Sequence, residues 1–349
     1  MAIAPSVTCL LLTSSLLLAS WFIAIEAQSR PPIVNGLSWT FYQSSCPKLE
    51  SIIRNELKKI FKEDVGQAAG LLRLHSHDCF VLGCDGSVLL DKSNERSEIP
   101  NLTMRKEAFK IVNDLRERVH KQCGCVVSCA DILTIAARDS VFLTGGPDYD
   151  VPLGRRDGVK MAEVNQTFVD LVAPFATTGT VLAKFARKGL DATDTVALSG
   201  AHTIGISQCS SFTDRLYPRQ DPNMDKSFAN NLKQICPRPN SNAVTVLDIR
   251  TPDIFDNKYF VDLMNRQGLF TSDQDLFIDA RTKDIVTSFA VNEGLFFEKF
   301  VLAMIKMGQI EVLTGGQGEI RGDCSVRNSD NNKLASVVGE DLGSSSKMK

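Results

Sequence analysis

Hydrophobic and polar residues follow one another along this chain mainly with the period of an α-helix. In RKEAFKIVNDLRERVHKQ, apolar residues recur at steps of three and four, with charged residues between them. They are Phe109, Val112, Leu115 and Val119. The segments CADILTIAARDSVFL, VLAKFARKGL and LFFEKFVLAMIKMG have the same spacing. Only short pieces such as residues 311–313 resemble a strand, so the pattern predicts a mainly α protein.

Glycine and proline separate the predicted helices. Stretches such as TGGPDYDVPLGRRDG and CPRPN indicate ordered loops, and no long linker or internal repeat marks a domain boundary. Two motifs that contain histidines, around His77 and His202, lie far apart in the chain. We expect them on two helical lobes that face each other.

The two ends of the chain differ from the rest. The apolar run VTCLLLTSSLLLASWFIAI precedes Ala27 and Gln28 and predicts a cleaved signal peptide over residues 1–27. A retained membrane anchor is the alternative, because MAIAPS carries no Lys or Arg and the run is long enough to span a bilayer. SDNNKLASVVGEDLGSSSKMK, residues 329–349, predicts a disordered polar tail or a sorting propeptide. The main domain would cover residues 28–328.

Charge and cysteine content restrict the function. The 39 basic residues nearly balance the 41 acidic ones, which argues against nucleic-acid binding, and no later segment is apolar enough to enter a membrane. Small molecules are therefore the expected partners, and we expect a monomer. Ten cysteines, nine of them beyond Cys9, indicate disulfides and one leftover thiol in an exported chain. Asn101-Leu102-Thr103 and Asn165-Gln166-Thr167 are glycosylation sequons.

Two of the four histidines lie in RLHSHDCFVLGCDGS. On a helix, Arg73 and His77 are four residues apart and share a face, whereas His75 points elsewhere. This geometry disfavours a zinc site, which would need both histidines and Cys79 to converge. An imidazole beside a guanidinium suits peroxide cleavage, because one moves a proton and the other stabilises the leaving oxygen. A polar helix face without chemistry is the alternative.

Oxygen donors follow His77 with the spacing of a hard-cation site. They are the side chains of Asp78, Asp85 and Ser87 and the carbonyls of Val81 and Gly83. Calcium fits this set better than magnesium. A disulfide between Cys79 and Cys84 would close the loop around the ligands, and a loop held only by turns is the alternative.

A second group of candidate ligands surrounds His202, which ends an apolar run and precedes Thr203. A lone histidine in such a run is more often a core residue than a ligand. Downstream, DIRTPDIFD again offers oxygen donors, namely Asp248, Thr251 and Asp256 and the carbonyl of Ile254. We expect a second calcium ion to join Thr203 to this loop. Two such loops, each beside a histidine, are difficult to explain as ordinary surface.

Eight segments of the chain resemble the class III secretory plant peroxidases, of the horseradish type. In order, between Ser38 and Cys324, they are FYQSSCPKLESIIR, LLRLHSHDCFVLGCDGSVLLD, VVSCADILTIAARDSV, VPLGRRDG, DTVALSGAHTIG, TPDIFDNKYF, LFTSDQDLF and MGQIEVLTGGQGEIRGDC. The resemblance implies a mainly α haem peroxidase fold, with haem b between two helical lobes, a minor β-hairpin and two calcium ions.

The resemblance also implies roles for the residues of both motifs. His202 would be the axial ligand of the haem iron, and Asp273 would accept a hydrogen bond from its other ring nitrogen. His77 would be the acid–base group and Arg73 the charge stabiliser. The implied reaction reduces hydrogen peroxide and oxidises phenolic donors in two one-electron steps.

Further residues are assigned by the same resemblance. Asn101, with Glu95 six residues before it, would hold the His77 ring. The implied disulfides are Cys46–Cys123, Cys79–Cys84, Cys129–Cys324 and Cys209–Cys236. Cys125 is left over, and we expect a buried free thiol there; partner exchange with Cys123 and an intermolecular disulfide are the alternatives.

Three positions depart from the family pattern. Ser76 replaces the usual Phe beside His77, and we hypothesise that it widens the pocket and permits direct oxygen transfer to substrates; neighbouring side chains filling the gap are the alternative. Val172 replaces the first proline of a Pro-x-Pro segment whose carbonyl contacts aromatic donors, which affects donor binding. Tyr149 replaces a tryptophan, for which we expect packing consequences only.

Three functions are compared. The first is a secreted haem peroxidase of the apoplast or cell wall, or of the vacuole if the tail directs sorting, acting in lignification, suberisation, wall cross-linking or stress responses. The second is a calcium-stabilised, secreted haem-binding protein of the same fold with little turnover, against which the full set of catalytic residues argues. The third is a zinc hydrolase built on His75, His77 and Asp78, which lacks a third convincing ligand.

Overall fold

The computed structural model describes residues 31–239 and 241–331. The predicted signal peptide lies outside these residues, as does the predicted tail from residue 332 onward. The described residues from Val34 onward form one unit. Within the described part, no helix is both long and apolar enough to span a bilayer.

Helices dominate the architecture, as the hydrophobic spacing predicts. In chain order they are α1 (Leu49–Glu63), α2 (Gly66–Phe80), α3 (Asn94–Ser97), α4 (Ile99–Leu102), α5 (Lys106–Cys123), α6 (Cys129–Leu143), α7 (Gln166–Asp170), α8 (Thr178–Arg187), α9 (Ala192–Ser199), α10 (Lys226–Ile235), α11 (Lys258–Met264), α12 (Thr271–Ile278), α13 (Lys283–Val291) and α14 (Glu293–Met307). Short 3₁₀ turns include Ser87–Leu89 and Gly200–Thr203.

Two short strands, β1 (Ile206–Gln208) and β2 (Val244–Val246), pair antiparallel with Ile206 opposite Val246. A long connection joins them, so they do not form a tight hairpin. The strand predicted at residues 311–313 is wrong. Glu311 has a φ of +46°, which interrupts an extended backbone at that point.

Helix α6 is the centre of the core. The Ser128 side chain caps its first turn by accepting from the Asp131 amide at 3.1 Å. Every residue from 129 to 141 is buried, so the helix is surrounded on all sides, and α1, α2 and α5 pack against it. Its buried charges are paired: Arg155 binds Asp131 at 2.8 Å, and Arg54 binds Asp139 at 2.8 Å. The helix α2, which carries Arg73 and His77, is therefore fixed against a rigid support.

Two hydrophobic clusters of unequal size form the interior. The larger extends along the chain from Tyr42 to Cys324, so the two predicted lobes share one core. The smaller surrounds Phe212 and Phe228. All four predicted disulfides are present, Cys46–Cys123, Cys79–Cys84, Cys129–Cys324 and Cys209–Cys236.

Two predictions about the chain's surface are corrected. Cys125 is a free thiol, but it is exposed, not buried. Helix α5 ends at the disulfide-bonded Cys123, and Gly124, with a φ of +77°, turns the chain outward there. The start of the predicted unpatterned tail is ordered, because Asn328–Asp330 form a 3₁₀ turn closed by an ion pair of 2.6 Å between Arg327 and Asp330.

Candidate active site

Helix α2 brings Arg73 and His77 together on one face. The Arg73 Nε–H donates to His77 Nε2 at 3.3 Å. His75 lies on another face, where its ring is buried and its Nδ1 is 3.6 Å from the Cys79 sulfur. The predicted separation of the two histidines is confirmed.

Hydrogen bonds fix the tautomer of His77. Its Nδ1 is 2.6 Å from the Asn101 side-chain oxygen, which only accepts, so Nδ1 carries the hydrogen. Nε2 consequently presents a lone pair, consistent with its acceptance of the Arg73 hydrogen. The Asn101 amide nitrogen donates in turn to the main-chain carbonyl of Glu95 at 2.7 Å. Glu95 thus supports the ring through its backbone, and its carboxyl group takes no part in this contact.

Burial and charge keep the His77 ring neutral. Desolvation, followed by the positive charge of Arg73, lowers the pKa of His77 to about 3. Desolvation also lowers the pKa of Arg73 from its ordinary value. The pair therefore combines a neutral proton acceptor with a fixed positive charge, the combination needed to move a proton between two oxygens.

Asn101 also decides the fate of one sequon. Its side chain is buried and both of its polar atoms are hydrogen-bonded inside the site, which excludes a glycan there. The Asn101-Leu102-Thr103 triplet is therefore a sequon by its sequence only. Asn165, in the second sequon, is exposed and stays a predicted acceptor. The backbone of this second sequon is held by Glu98, which accepts hydrogen bonds from the amides of Asn165 and Thr167 and from the Thr167 hydroxyl.

His202 lies in the 3₁₀ turn Gly200–Thr203 that follows α9. Its Nδ1 is 2.7 Å from Asp273 Oδ1, and the side chain of His202 is 38% exposed whereas that of Asp273 is 3% exposed. Two other donors hold the carboxylate: the Tyr259 hydroxyl at 3.0 Å and the Phe270 amide at 2.9 Å. Asp273 is thus a firmly held anion that fixes the ring's orientation.

These contacts fit a haem iron at His202. Asp273 takes the hydrogen on Nδ1, so Nε2 is the free ligand atom, and among the described residues nothing hydrogen-bonds to it. A carboxylate behind a ligating imidazole is the usual arrangement at metal centres, because it increases the basicity of the ligand. Sequence reasoning missed Tyr259, because the mixed apolar and polar segment IFDNKYF does not show that its hydroxyl is buried against Asp273.

The loop after His77 and the adjacent Glu95 of α3 contain buried oxygens without partners among the described residues. Among described side chains, Asp78 Oδ1, Ser87 Oγ and both Glu95 carboxyl oxygens are buried and form no hydrogen bond. Burial raises the pKa of Asp85 to about 6 and, with Asp78 and Asp85 adding to it, that of Glu95 to about 9. Such a concentration of acidic oxygens is costly without a cation. The oxygens of this loop therefore fit calcium.

The shape of this loop depends on glycine and on a disulfide. Gly83 has a φ of +95°, and a Cβ there would lie 2.7 Å from the Ile310 carbonyl. Cys79–Cys84 closes the loop. The Gly83 carbonyl, a predicted calcium ligand, also accepts a hydrogen bond from the Asp85 amide at 2.8 Å. The role of the Val81 carbonyl as a calcium ligand stays a prediction.

The second predicted calcium loop converges on Thr203. Its hydroxyl oxygen is 3.2 Å from Asp248 Oδ2, 3.2 Å from Asp256 Oδ1 and 3.5 Å from the Ile254 carbonyl. Asp248 accepts from the Thr251 amide at 3.1 Å, and the buried Thr251 hydroxyl has no partner in the described chain. Burial raises the pKa of Asp248. Oxygens of Asp248, Asp256 and Ile254 are therefore assembled around the Thr203 hydroxyl, in the residue after His202.

Two predicted substrate-side residues lie near these groups. The Ser76 hydroxyl donates to the Arg73 carbonyl at 2.9 Å, so it is returned to the α2 backbone. Val172 is half-buried against the larger core cluster. Near it, Pro174 accepts from the Ser272 amide at 3.0 Å, and Phe175 is 68% exposed. Their effects on substrates stay predictions.

Comparison with known proteins gives one answer. The sequence profile of the family described as "Peroxidase" matches residues 53–292. Peroxidase 12 of Arabidopsis thaliana is 60% identical over 328 residues, covering 92% of this chain and 91% of the relative. Cationic peroxidase SPC4 of Sorghum bicolor is 54% identical over 304 residues, covering 86% and 84%. Peroxidase 49 of Arabidopsis thaliana is 47% identical, covering 83% and 90%. The chain therefore belongs to the peroxidase family, among the class III plant enzymes, and is a haem peroxidase.

Proposed function

We propose that this peroxidase oxidises small phenolic donors with hydrogen peroxide, outside the cell, as a monomer that holds haem b and two calcium ions. The observation that carries the proposal is the tautomer of His77: its hydrogen is committed to Asn101, and its free Nε2 lies beside Arg73. A neutral base with a positive charge next to it is suited to hydrogen peroxide.

His77 and Arg73, the two residues of the distal site, act on different parts of the peroxide. His77 Nε2 accepts the proton of one peroxide oxygen and returns it to the other, which leaves as water. Arg73 stabilises the negative charge that develops on the leaving oxygen. Asn101 keeps the ring in the tautomer that this transfer requires. His202 would hold the iron, and the bound haem would supply the redox chemistry of the reaction.

The two loops would hold the calcium ions and keep both histidines in position. The first, around Asp78, Asp85 and Ser87, begins in the last turn of α2, and the second includes Thr203, the residue after His202. Unpaired buried oxygens in both loops support this assignment. The apolar N-terminal run supports secretion to the apoplast or cell wall, and vacuolar sorting by residues 329–349 is a finer alternative.

The donor class is tested with the purified holoenzyme. We expect a Soret band that changes on addition of hydrogen peroxide and returns when a phenol such as guaiacol is added, faster than with ascorbate at equal concentration. Absence of a Soret band would overturn the haem assignment. Equal rates with guaiacol and ascorbate would overturn the preference for phenols. Loss of the Soret response to hydrogen peroxide in the single variant His77→Ala would support His77 as the base.

Ser76 is proposed to favour direct oxygen transfer over electron transfer, since a small side chain there leaves room beside His77. Ser76→Phe should lower thioether oxygenation relative to guaiacol oxidation. An unchanged ratio of the two rates would show that Ser76 has no such effect.

A further inference from the structure

The guanidinium of Arg73 is held by the chain segment that also holds the partner of the catalytic imidazole. Its Nη2 donates to the Pro100 carbonyl at 2.9 Å and to the Thr103 hydroxyl at 3.1 Å, and its Nη1 donates to the Thr103 carbonyl at 3.3 Å. Asn101 lies between these two residues. This segment, residues 100–103, therefore sets the positions of both distal groups.

Thr103 supplies the one contact from this segment to Arg73 that depends on a side chain. The carbonyls are present whatever residues occupy the segment, but the hydroxyl is not. In the described part of the chain, only His77 and Thr103 offer side-chain hydrogen bonds to this guanidinium. An arginine has a long flexible stem, so a guanidinium with fewer acceptors samples more positions.

The acceptors around Arg73 share a second property: none is charged. They are one imidazole nitrogen, two carbonyl oxygens and one hydroxyl. A carboxylate at position 103 could also bind the guanidinium, but it would offset the positive charge that stabilises a developing negative oxygen. A threonine holds the group and leaves its charge available.

We propose that Thr103 is a positioning residue for Arg73: its hydroxyl fixes the guanidinium without neutralising it. The inference rests on the proposed role of Arg73 in the reaction with hydrogen peroxide. It also gives the Asn101-Leu102-Thr103 triplet a structural role that has nothing to do with glycosylation, because Asn101 orients the base and Thr103 orients the charge.

The test compares Thr103→Val, Thr103→Ser and Thr103→Asp as calcium-loaded holoenzymes, made in a host that attaches no N-glycans. The readouts are the second-order rate constant for hydrogen peroxide, the KM for guaiacol and the crystal structure of each variant. Arg73→Leu is the reference for the role of Arg73. Leu102→Ala is the matched control, since Leu102 is an exposed neighbour in the same segment.

The hydroxyl should matter for the peroxide step only. We expect Thr103→Val to lower the peroxide rate constant about threefold to tenfold, which corresponds to the loss of one typical protein hydrogen bond in a solvent-exposed position. The KM for guaiacol should not change, and the crystal structure should show the guanidinium displaced. Thr103→Ser should restore the rate constant and the position of the guanidinium. Thr103→Asp should be at least as slow as Thr103→Val, and its rate constant should begin to fall at a higher pH as the pH is lowered.

Each alternative result has a distinct meaning. If Arg73→Leu leaves the rate constant unchanged, the proposed role of Arg73 fails. If Arg73→Leu is slow but Thr103→Val is as fast as wild type with its guanidinium in place, only the inference about Thr103 fails. A Thr103→Ser variant as slow as Thr103→Val, or an equal loss in Leu102→Ala, would assign the effect to general packing and overturn the inference. A Thr103→Asp variant as fast as wild type would overturn the requirement for a neutral acceptor.

Discussion

The two histidines of the site use the same ring nitrogen for their side-chain partner, but the partners differ in charge. His77 Nδ1 is 2.6 Å from the neutral amide of Asn101, and His202 Nδ1 is 2.7 Å from the carboxylate of Asp273. Both rings therefore have Nε2 free of hydrogen. One fold has produced two imidazoles with the same tautomer and different surroundings.

The surroundings separate a proton carrier from a metal ligand. Beside His77, the amide adds no charge and Arg73 disfavours the protonated ring, so a proton that arrives is readily passed on. Behind His202, the carboxylate held by Tyr259 increases the ring's electron donation, which suits an iron ligand. The predictions below exchange or remove these surroundings, beginning with the largest expected effect.

Removing the distal base should have the largest effect. His77→Ala should lower the rate constant for hydrogen peroxide about 10²- to 10⁴-fold, the range for loss of a positioned acid–base group. Stopped-flow measurement of the Soret change checks it. The matched control is His75→Gln, on the same helix but on another face, which should lower the melting temperature and leave the rate constant near wild type. Comparable rate losses in both variants would argue against the assignment of His77.

Neutralising the proximal carboxylate should have the next largest effect. Asp273→Asn gives His202 the kind of partner that His77 has, and should weaken haem retention and lower the peroxide rate constant about 10- to 100-fold. Haem transfer to apomyoglobin measures retention. Tyr259→Phe, which removes only one of the hydrogen bonds to Asp273, should lie between this variant and wild type. Haem retention unchanged in Asp273→Asn would contradict the proposed ligand.

Placing a carboxylate on the distal side makes the reverse exchange. Asn101→Asp puts a negative charge beside His77, which raises its pKa, so the peroxide rate constant should begin to fall at a pH about 1 to 3 units higher than in wild type. Asn101→Val removes the acceptor without adding charge. The Asn101 hydrogen bond raises the pKa of His77, so its loss should not shift the fall in the rate constant to higher pH. A shift of the same sign in both variants would contradict the electrostatic explanation.

Calcium removal should affect the loops beside His77 and His202 together, and it should change the stability of the protein more than its rate of reaction with hydrogen peroxide. Incubation with EGTA leaves the buried oxygens of both loops uncompensated. It should lower the melting temperature by about 6 to 12 °C for each ion removed, from the roughly 3 to 4 kcal/mol that one well-saturated ligand contributes. Calcium should restore the value and magnesium should not. A melting temperature that is insensitive to EGTA would remove the case for calcium in these loops.

The sequence predicted the arrangement of Arg73 and His77 well, because that arrangement depends on local helix geometry. Two residues four apart on a helix share a face in any fold, so Arg73, His77 and the different direction of His75 followed from spacing. The family resemblance supplied the pairing of distant residues, such as His202 with Asp273 and Cys129 with Cys324, which spacing alone does not give.

Contacts between distant segments could not be predicted in this way. Whether Glu95 supports the ring by its carboxyl or its carbonyl depends on how α3 and α4 turn, and the exposure of Cys125 depends on the backbone of Gly124. The contact of Thr103 with Arg73 joins a loop to a helix about 30 residues away. Strands of three residues, such as β1, carry too few positions for an alternating pattern to be distinguished.

The pH dependence of the reaction between the wild-type holoenzyme and hydrogen peroxide tests the central claim most directly. Because His77 acts in its neutral form, the rate constant should fall as the pH decreases through the pKa of this ring. With protein held at pH 6 and mixed rapidly into each buffer, we expect a constant rate down to about pH 4 and a midpoint near 3, the pKa of His77. A midpoint near 6.5, the ordinary value for histidine, would contradict the account.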